Sequence, residues 1–392
     1  MTVKLPKKVE FIIFEMKKQG HRADIVGGCV RDFCLGKEPD DYDLTTSAAP
    51  KETKSVFKNY HTVDTGIKHG TVTLMLDGEP FEITTYRIDG EYTDNRHPSS
   101  VTFSKRIEDD LSRRDFTMNA IAYNPYDGLT DPFGGVSDIK SGIIRSVGDA
   151  ARRFDEDALR ILRGIRFAST LGFKIESDTS RAIIEKRELL ANVSAERIFV
   201  EWKKLLSGNG AFGVLEGYLS VISVFFPEIK DISKIPENAF LKMSAEERNI
   251  TLFYYNAPDS FSSAMKRLKT DNLTASFGKN VIDCLLSLEE GRAVYSDADI
   301  GFLLKDFGEE TVLAALRLAN LLGICDEAPL CHAKKLLSDG FPYRLRDLAV
   351  SGNDLISVGI KGSAIGEALD ALLDRVILAE VENNKEALLS SI

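Results

Sequence analysis

Two aspartates one residue apart, Asp41 and Asp43, follow a glycine pair and an arginine in the stretch GGCVRDFCLGKEPDDYDLTT, residues 27 to 46. On a strand, residues i and i+2 project to the same face, so the two carboxylates would lie side by side. Adjacent anions repel, and burying them is costly unless a cation holds them. Oxygen-only ligation suits Mg²⁺ or Mn²⁺, and a pair of such ions can stabilise both the attacking and the leaving oxygen of an in-line phosphoryl displacement. Standing alone, a D-x-D pair reads more simply as a solvated edge. Glu82, in FEITTYR at 81 to 87, offers a third carboxylate to the same site, or else is an ordinary exposed strand residue.

Other groups in the chain suit an anionic partner. Gly27 and Gly28 fall between a strand pattern and a helix pattern, where backbone amides can approach a triphosphate and a helix N-terminus favours anions. Arg31 falls in the first turn of that helix, unfavourably for the dipole, so a bound polyphosphate explains it better. RRDFTMNAIAY places Arg113, Arg114 and Asp115 ahead of a helix carrying Asn119, a mix suited to sugar and phosphate contacts.

FDEDALRILRGIRF sets Asp157, Arg160, Arg163 and Arg166 at steps of three. On one helix the first three fall within about 120° of one face. A solvated face with i,i+3 ion pairs is the plain alternative. A carboxylate beside a guanidinium, however, presents acceptor and donor together. That matches the amino group and ring nitrogen of cytosine or adenine, whereas uracil and guanine meet the pair the wrong way round. Asp157 and Arg160 could thus select C and A without a template.

Several elements must position these groups. Residues 7 to 19 have helical apolar spacing (Val9, Ile12, Ile13, Met16) and end at Gly20. Strand patterns follow at 23 to 26, 42 to 46, 71 to 76 and 81 to 87, the last two joined by a hairpin at Asp77-Gly78. A short helix from Val30 to Leu35 fits between the first two. After about residue 150 helical spacing takes over, with breaks expected around Pro227, Pro236, Pro258, Pro329 and Pro342. The expected fold class is α+β, a small mixed-sheet head followed by an all-helical remainder.

The chain has 392 residues and a net charge of -10, long enough for two to four modules. Residues 1 to 206 carry 32 Lys+Arg against 33 Asp+Glu, and residues 207 to 392 carry 18 against 27. Contacts with a polyanion should therefore come from local basic clusters, not from a global field. Five cysteines without CxxC spacing argue against a disulfide framework or a zinc ribbon. No stretch reaches the roughly 18 unbroken apolar residues of a membrane span, and no signal peptide is evident, so a cytoplasmic protein is expected. A P-loop ATPase is excluded for want of GxxxxGK[ST].

In order, GGCVRDFCLG…DYDLTT, TGIKHGTVTL…FEITTYR, GEYTDNRHPSSVTF, RRDFTMNAIAY, DPFGGVSDIKSGIIRSVG, EDALRILRGIRF and SAERIFVEWKKLL resemble the class II tRNA nucleotidyltransferases, the bacterial CCA-adding enzymes of the polymerase-beta-like superfamily. The match is dense over residues 22 to 207 and weaker in the C-terminal stretch. The resemblance implies a nucleotidyltransferase head over residues 1–149, a neck over 150–207 that recognises the base, a body over 208–330 and a tRNA-binding tail over 331–392. It implies Asp41 and Asp43 as metal-binding carboxylates and Glu82 as the acid that helps activate the primer 3′-hydroxyl. Gly28, Arg31 and Arg114 would contact the phosphates and sugar of the incoming nucleotide. Asp157 and Arg160 would read its base, with Arg163 and Arg166 completing the pocket.

The loop from Gly90 to Phe103, with Asp94 and Arg96, matches the family's flexible element for switching to ATP, although His97 stands where a second arginine is usual. The partners implied are tRNA, CTP and ATP, with Mg²⁺ or Mn²⁺ as cofactor and no protein partner evident. Two alternatives stay open. One is a relative narrowed to A-only or CC-only addition or to poly(A) synthesis. The other is a nucleotide- or RNA-binding protein that has kept the fold and lost catalysis, against which the presence of Arg31, Asp41 and Asp43 counts. Asp40 gains no role and reads as a solvated loop residue.

Overall fold

The computed structural model describes residues 4–64, 66–90, 99–289 and 296–392. The chain divides into two compact units, Met1–Pro227 and Glu228–Ile392.

The first unit opens with helix α1 (Lys7–Lys18), which buries Val9, Ile12, Ile13 and Met16, the stripe expected from their spacing. Gly20, at φ 81°, ends it. Next come β1 (Ala23–Val26), α2 (Gly28–Cys34), β2 (Leu44–Thr46), α3 (Pro50–Val56), β3 (His61–Val63), β4 (Thr71–Leu76) and β5 (Glu79–Thr85). The β4–β5 hairpin turns at Asp77 and Gly78, both with positive φ (49° and 82°), the conformation that an Asp-Gly turn accommodates. β6 (Arg87–Asp89) and β7 (Val101–Phe103) form a separate antiparallel ribbon, followed by α4 (Ile107–Ser112), β8 (Ala122–Asn124) and β9 (Gly128–Thr130).

Seven strands make one mixed sheet in the order β3-β4-β5-β2-β1-β8-β9. Its pairs are antiparallel except β2 with β5, which run parallel with Leu44 opposite Ile83. β1 and β2 are buried at every position, so this centre is covered on both faces. Between the sheet's last strand and the second unit lie α5 (Gly135–Ser141), β10 (Ile143–Ile144), α6 (Ala150–Glu156), α7 (Leu159–Leu171), β11 (Lys174–Ile175), α8 (Ser177–Glu185) and α9 (Ala195–Ser207). α7 packs along α9.

The second unit contains no strand among its described residues. Its helix Asn272–Glu289 packs on Glu309–Leu322, and Leu348, Leu355, Leu372, Leu373, Ile377 and Leu388 build a further apolar cluster. The break expected around Pro329 is present: one helix ends at Leu322 and the next runs Ala328–Ser338, with Pro329 in its first turn, where the missing N–H costs nothing. No helix among the described residues is long and apolar enough to cross a membrane. The expected α+β class, a mixed-sheet head before a helical remainder, is what the chain adopts.

Two local expectations change. The second strand begins at Leu44, so Asp41 and Asp43 lie on the extended segment entering it and not within it. The pairing still reaches back to Asp43, whose carbonyl accepts from Val26 N at 3.0 Å. The helix expected to carry Asp157 with its arginines is two helices. Asp157 ends α6 at φ -139° and ψ 102°, and its Oδ1 accepts from Leu159 N at 3.2 Å. Such a local side-chain bond competes with helix continuation, so Asp157 is not on one helical face with Arg160 and Arg163.

Candidate active site

Strand register explains why three carboxylates meet. Extending the parallel β2–β5 pairing by one residue sets Asp43 beside Glu82. Glu82 is exposed between the buried Phe81 and Ile83, so it points away from the side they pack on. Asp41, Asp43 and Glu82 line one cavity of about 680 Å³, together with Lys8, Asp40 and Glu79. Phe33 of α2 and Tyr42, with ring centroids 6.1 Å apart, fix the segment between the two aspartates.

The Asp43 carboxyl is raised above the usual carboxylate range by partial desolvation and by Asp41, with Arg114 opposing and Glu82 adding to the rise. Asp43 keeps an accessible surface, and the crowding by Asp41 and Glu82 adds to the desolvation of its carboxyl. Among the described residues, no group of three or more His, Cys, Asp or Glu side chains converges closely enough to hold a metal ion by itself. The cavity thus brings the carboxylates together without closing them into a cage.

Arg114 stands between this cavity and a second cluster. A Cβ on Gly27 would lie 3.0 Å from Arg114 Nη1, so the glycine, at φ 82°, lets the guanidinium come up against the turn. Gly28 opens α2, and a Cβ there would meet Arg31 Nη2 at 3.7 Å. Arg31 is the fourth of seven residues in α2 rather than in a first turn, and it pairs with Asp32 at 2.9 Å. Its place therefore needs no bound anion to explain it.

Asp110, fully buried on α4, receives Arg113 at 2.7 Å and Arg114 at 3.3 Å. Burial pushes its carboxyl up, but the two guanidinium groups outweigh that and hold it below the usual range. Arg114 Nε is buried and has no hydrogen-bond partner among the described residues.

Asn119 is carried by a single 3₁₀ turn, Thr117–Asn119, where a helix was expected. Its Oδ1 accepts from Arg31 Nη1 at 3.0 Å and its Nδ2 donates to Asp115 Oδ1 at 3.1 Å. Asp115 Oδ2 accepts from Arg163 Nε at 2.9 Å and pairs with Nη2 at 2.7 Å. Burial pushes Asp115 up, but Arg163 and Asn119 bring it down to about 2. Arg163 is in turn raised, chiefly by Asp115. Arg166 donates to Glu201 Oε2 at 2.8 Å, and desolvation lowers it. Arg31, Arg163 and Arg166 surround the Phe167 ring at 5.3, 5.4 and 3.5 Å.

The two base-reading candidates are not joined to one another by any side-chain bond among the described residues. Asp157 accepts from Arg197 Nη2 at 3.1 and 3.0 Å. Arg160 is 9% exposed, and it donates to Glu156 at 2.9 Å and to the Arg113 carbonyl at 2.9 Å. Asp94, Arg96 and His97 of the Gly90–Phe103 loop lie outside the described residues.

The sequence reading missed Asp110, Phe167, Arg197 and Glu201. Asp110 stands three and four residues before Arg113 and Arg114, a helical spacing that could have shown it. Glu201 meets Arg166 across the α7–α9 packing, and Arg197 of α9 meets Asp157 at the end of α6, contacts for which sequence spacing carries no signal.

Comparison with known proteins agrees with this arrangement. Residues 23–145 match the Poly A polymerase head domain, 172–232 a segment described as "Probable RNA and SrmB- binding site of polymerase A", and 241–392 the tRNA nucleotidyltransferase domain 2. The CCA-adding enzyme of Pediococcus pentosaceus is 38% identical over 392 aligned residues, spanning 97% of this chain and 96% of that one. That of Lactiplantibacillus plantarum is 36% identical over 390 residues, spanning 96% and 93%. The crystal structure of the Bacillus stearothermophilus CCA-adding enzyme in complex with CTP superposes with a TM-score of 0.80 at 33% identity, over 99% of this chain and 97% of that one. On this identity and coverage, the chain belongs to the family of CCA-adding enzymes.

Proposed function

We propose that this chain adds C, C and A to the 3′ end of tRNA, taking CTP and ATP and releasing diphosphate. The observation that carries the reading is the Gly27-Gly28 turn, where Arg114, which acts on Asp43 of the carboxylate cavity, lies against Gly27, and Arg31 of the cluster around Phe167 lies next to Gly28. Sequence likeness to CCA-adding enzymes over nearly the full length supports it, as does fold likeness to one in complex with CTP. In these terms residues 1–149 serve as head, 150–207 as neck, 208–330 as body and 331–392 as tail.

The crowded carboxylates fit a hard divalent cation, because desolvation and the neighbouring carboxylates raise Asp43, and an all-oxygen donor set faces an open cavity. Asp41 and Asp43 would hold it, with Mg²⁺ the assigned ion and Mn²⁺ a substitute. When bound, such a cation offsets charge developing on the triphosphate and favours loss of the primer hydroxyl proton.

The chain's own groups do the rest. Glu82 faces the cavity and takes up the 3′-hydroxyl proton on a carboxylate oxygen. Arg31 and Arg114, at the Gly27-Gly28 turn, hold the triphosphate. Asp157 accepts from the amino group of C or A and Arg160 donates to the ring nitrogen, while Arg163 and Arg166 wall the pocket. Holding the reacting oxygens in line is most of the catalytic task in such transfers.

The test is incorporation into tRNA ending at the discriminator base and into tRNA ending in CC, with CTP and ATP supplied separately and together. Addition of two C then one A, stopping there, is expected. Long adenylate runs on arbitrary RNA would end this reading, and no incorporation at all would favour a binding protein.

A further inference from the structure

Reading a Watson–Crick edge needs an acceptor and a donor that lie close together and do not satisfy one another. Asp157 and Arg160 are three residues apart with opposite charges, and a direct ion pair between them would use up both. The fold prevents this by giving each a different partner. Arg160 is held by Glu156 at 2.9 Å and by the Arg113 carbonyl at 2.9 Å. Asp157 is held from α9, where Arg197 Nη2 lies 3.1 Å from Oδ1 and 3.0 Å from Oδ2.

A carboxylate has about four lone-pair sites. At Asp157, Oδ1 accepts from both Arg197 and Leu159 N, while Oδ2 accepts from Arg197 alone. One oxygen therefore keeps a site for the exocyclic amino group of cytosine or adenine. An ionised carboxylate only accepts, and so has nothing to donate to the carbonyl of uracil or guanine.

We propose that Arg197 is a positioning residue for nucleotide selection, which holds Asp157 apart from Arg160 with Oδ2 open to the base. Arg197 need not touch the nucleotide. Its side chain is a quarter exposed and Asp157 about a fifth, so the pair is partly desolvated and its hydrogen bonds count for more than those of a surface pair.

The inference rests on the base-reading role proposed for Asp157, and the experiment separates the two. Steady-state kcat/KM is measured for CTP, UTP, ATP and GTP on the appropriate tRNA ends, for the wild type, Arg197→Met, Arg197→Lys, Asp157→Ala and the Arg197→Met, Asp157→Ala double variant. Arg197→Met should reduce discrimination against UTP and GTP by at least about tenfold, and Arg197→Lys should restore part of it. The double variant should be no less selective than Asp157→Ala, because the arginine acts only through the carboxylate.

If Arg197→Met does not fold, Arg197→Lys carries the test, with an intermediate loss of selectivity expected. Wild-type selectivity in a folded Arg197 variant, or losses that add in the double variant, would overturn the inference. Unchanged selectivity in Asp157→Ala would instead overturn the base-reading role itself.

Discussion

Arg31 and Asn119 are joined by a 3.0 Å hydrogen bond from Nη1 to Oδ1, across 88 residues of sequence. The amide orientation is forced, since a guanidinium can only donate and an ionised carboxylate can only accept. Asn119 thereby ties Arg31 to Asp115, and through it to Arg163. Removing the amide frees Arg31, the arginine proposed to hold the triphosphate, while leaving the proposed base-reading residues Asp157 and Arg160 in place. Asn119→Ala should therefore raise KM for CTP and ATP together by about tenfold, the worth of one charge-assisted hydrogen bond, with selectivity kept. Kinetics with each nucleotide check this, and unchanged KM values would show that Asn119 does not position Arg31.

Asp115 should leave a signature in acid unfolding. Its carboxyl titrates near 2 in the folded protein against an ordinary 3.8. A depressed folded value means stability that is fully present above about pH 4 and is lost as pH falls toward 2. The shift corresponds to about 2 kcal/mol. Urea unfolding of the wild type and Asp115→Asn should differ by at least that much at neutral pH, because the variant also leaves Arg163 short of its counter-charge. The gap should narrow between about pH 4 and 2. A gap independent of pH would mean that the aspartate contributes by shape alone.

Asp43 should behave in the opposite sense. Desolvation, Asp41 and Glu82 push its carboxyl up, so in metal-free buffer the charge is a burden on the fold. Asp43→Asn should be as stable as the wild type or more so when a chelator is present, yet lose at least about a hundredfold in incorporation rate, since even groups behind metal ligands are worth 10–100-fold. Mg²⁺ should raise the wild-type Tm and leave that of the variant unmoved. Full activity in Asp43→Asn would remove the metal-site assignment.

What was legible in the sequence depended on local rules. The α1 stripe, the Asp77-Gly78 hairpin and the crossing from mixed sheet to helices follow from spacing and turn chemistry, and the structure has them. The pairing of Asp43 with Glu82 was suggested by type alone, and it comes about through a parallel β2–β5 register that no local signal specifies. Asp157 misled because helical periodicity continues through it, while its own carboxylate caps Leu159 and breaks the helix. Asp115 stood beside two arginines in sequence but takes its ion pair from Arg163, forty-eight residues on.

The glycine pair separates two roles that the sequence runs together. Gly27 has φ 82°, where a Cβ is strained, and that Cβ would lie 3.0 Å from Arg114 Nη1 and 3.8 Å from the Asn119 carbonyl. Gly28 has an ordinary helical backbone, and its added Cβ would make only a van der Waals contact with Arg31 at 3.7 Å. Gly27→Ala should cost about 1–2 kcal/mol from backbone strain, and should lower kcat/KM for both CTP and ATP by displacing Arg114. Gly28→Ala should match or slightly exceed wild-type stability, because alanine is the better helix former by roughly 1 kcal/mol. Any loss of activity in Gly28→Ala would then report on how closely the triphosphate approaches the backbone there, not on folding. Thermal unfolding and kinetics of the two variants, measured side by side, distinguish these roles. Equal destabilisation of both would show that the two glycines do not have separate roles.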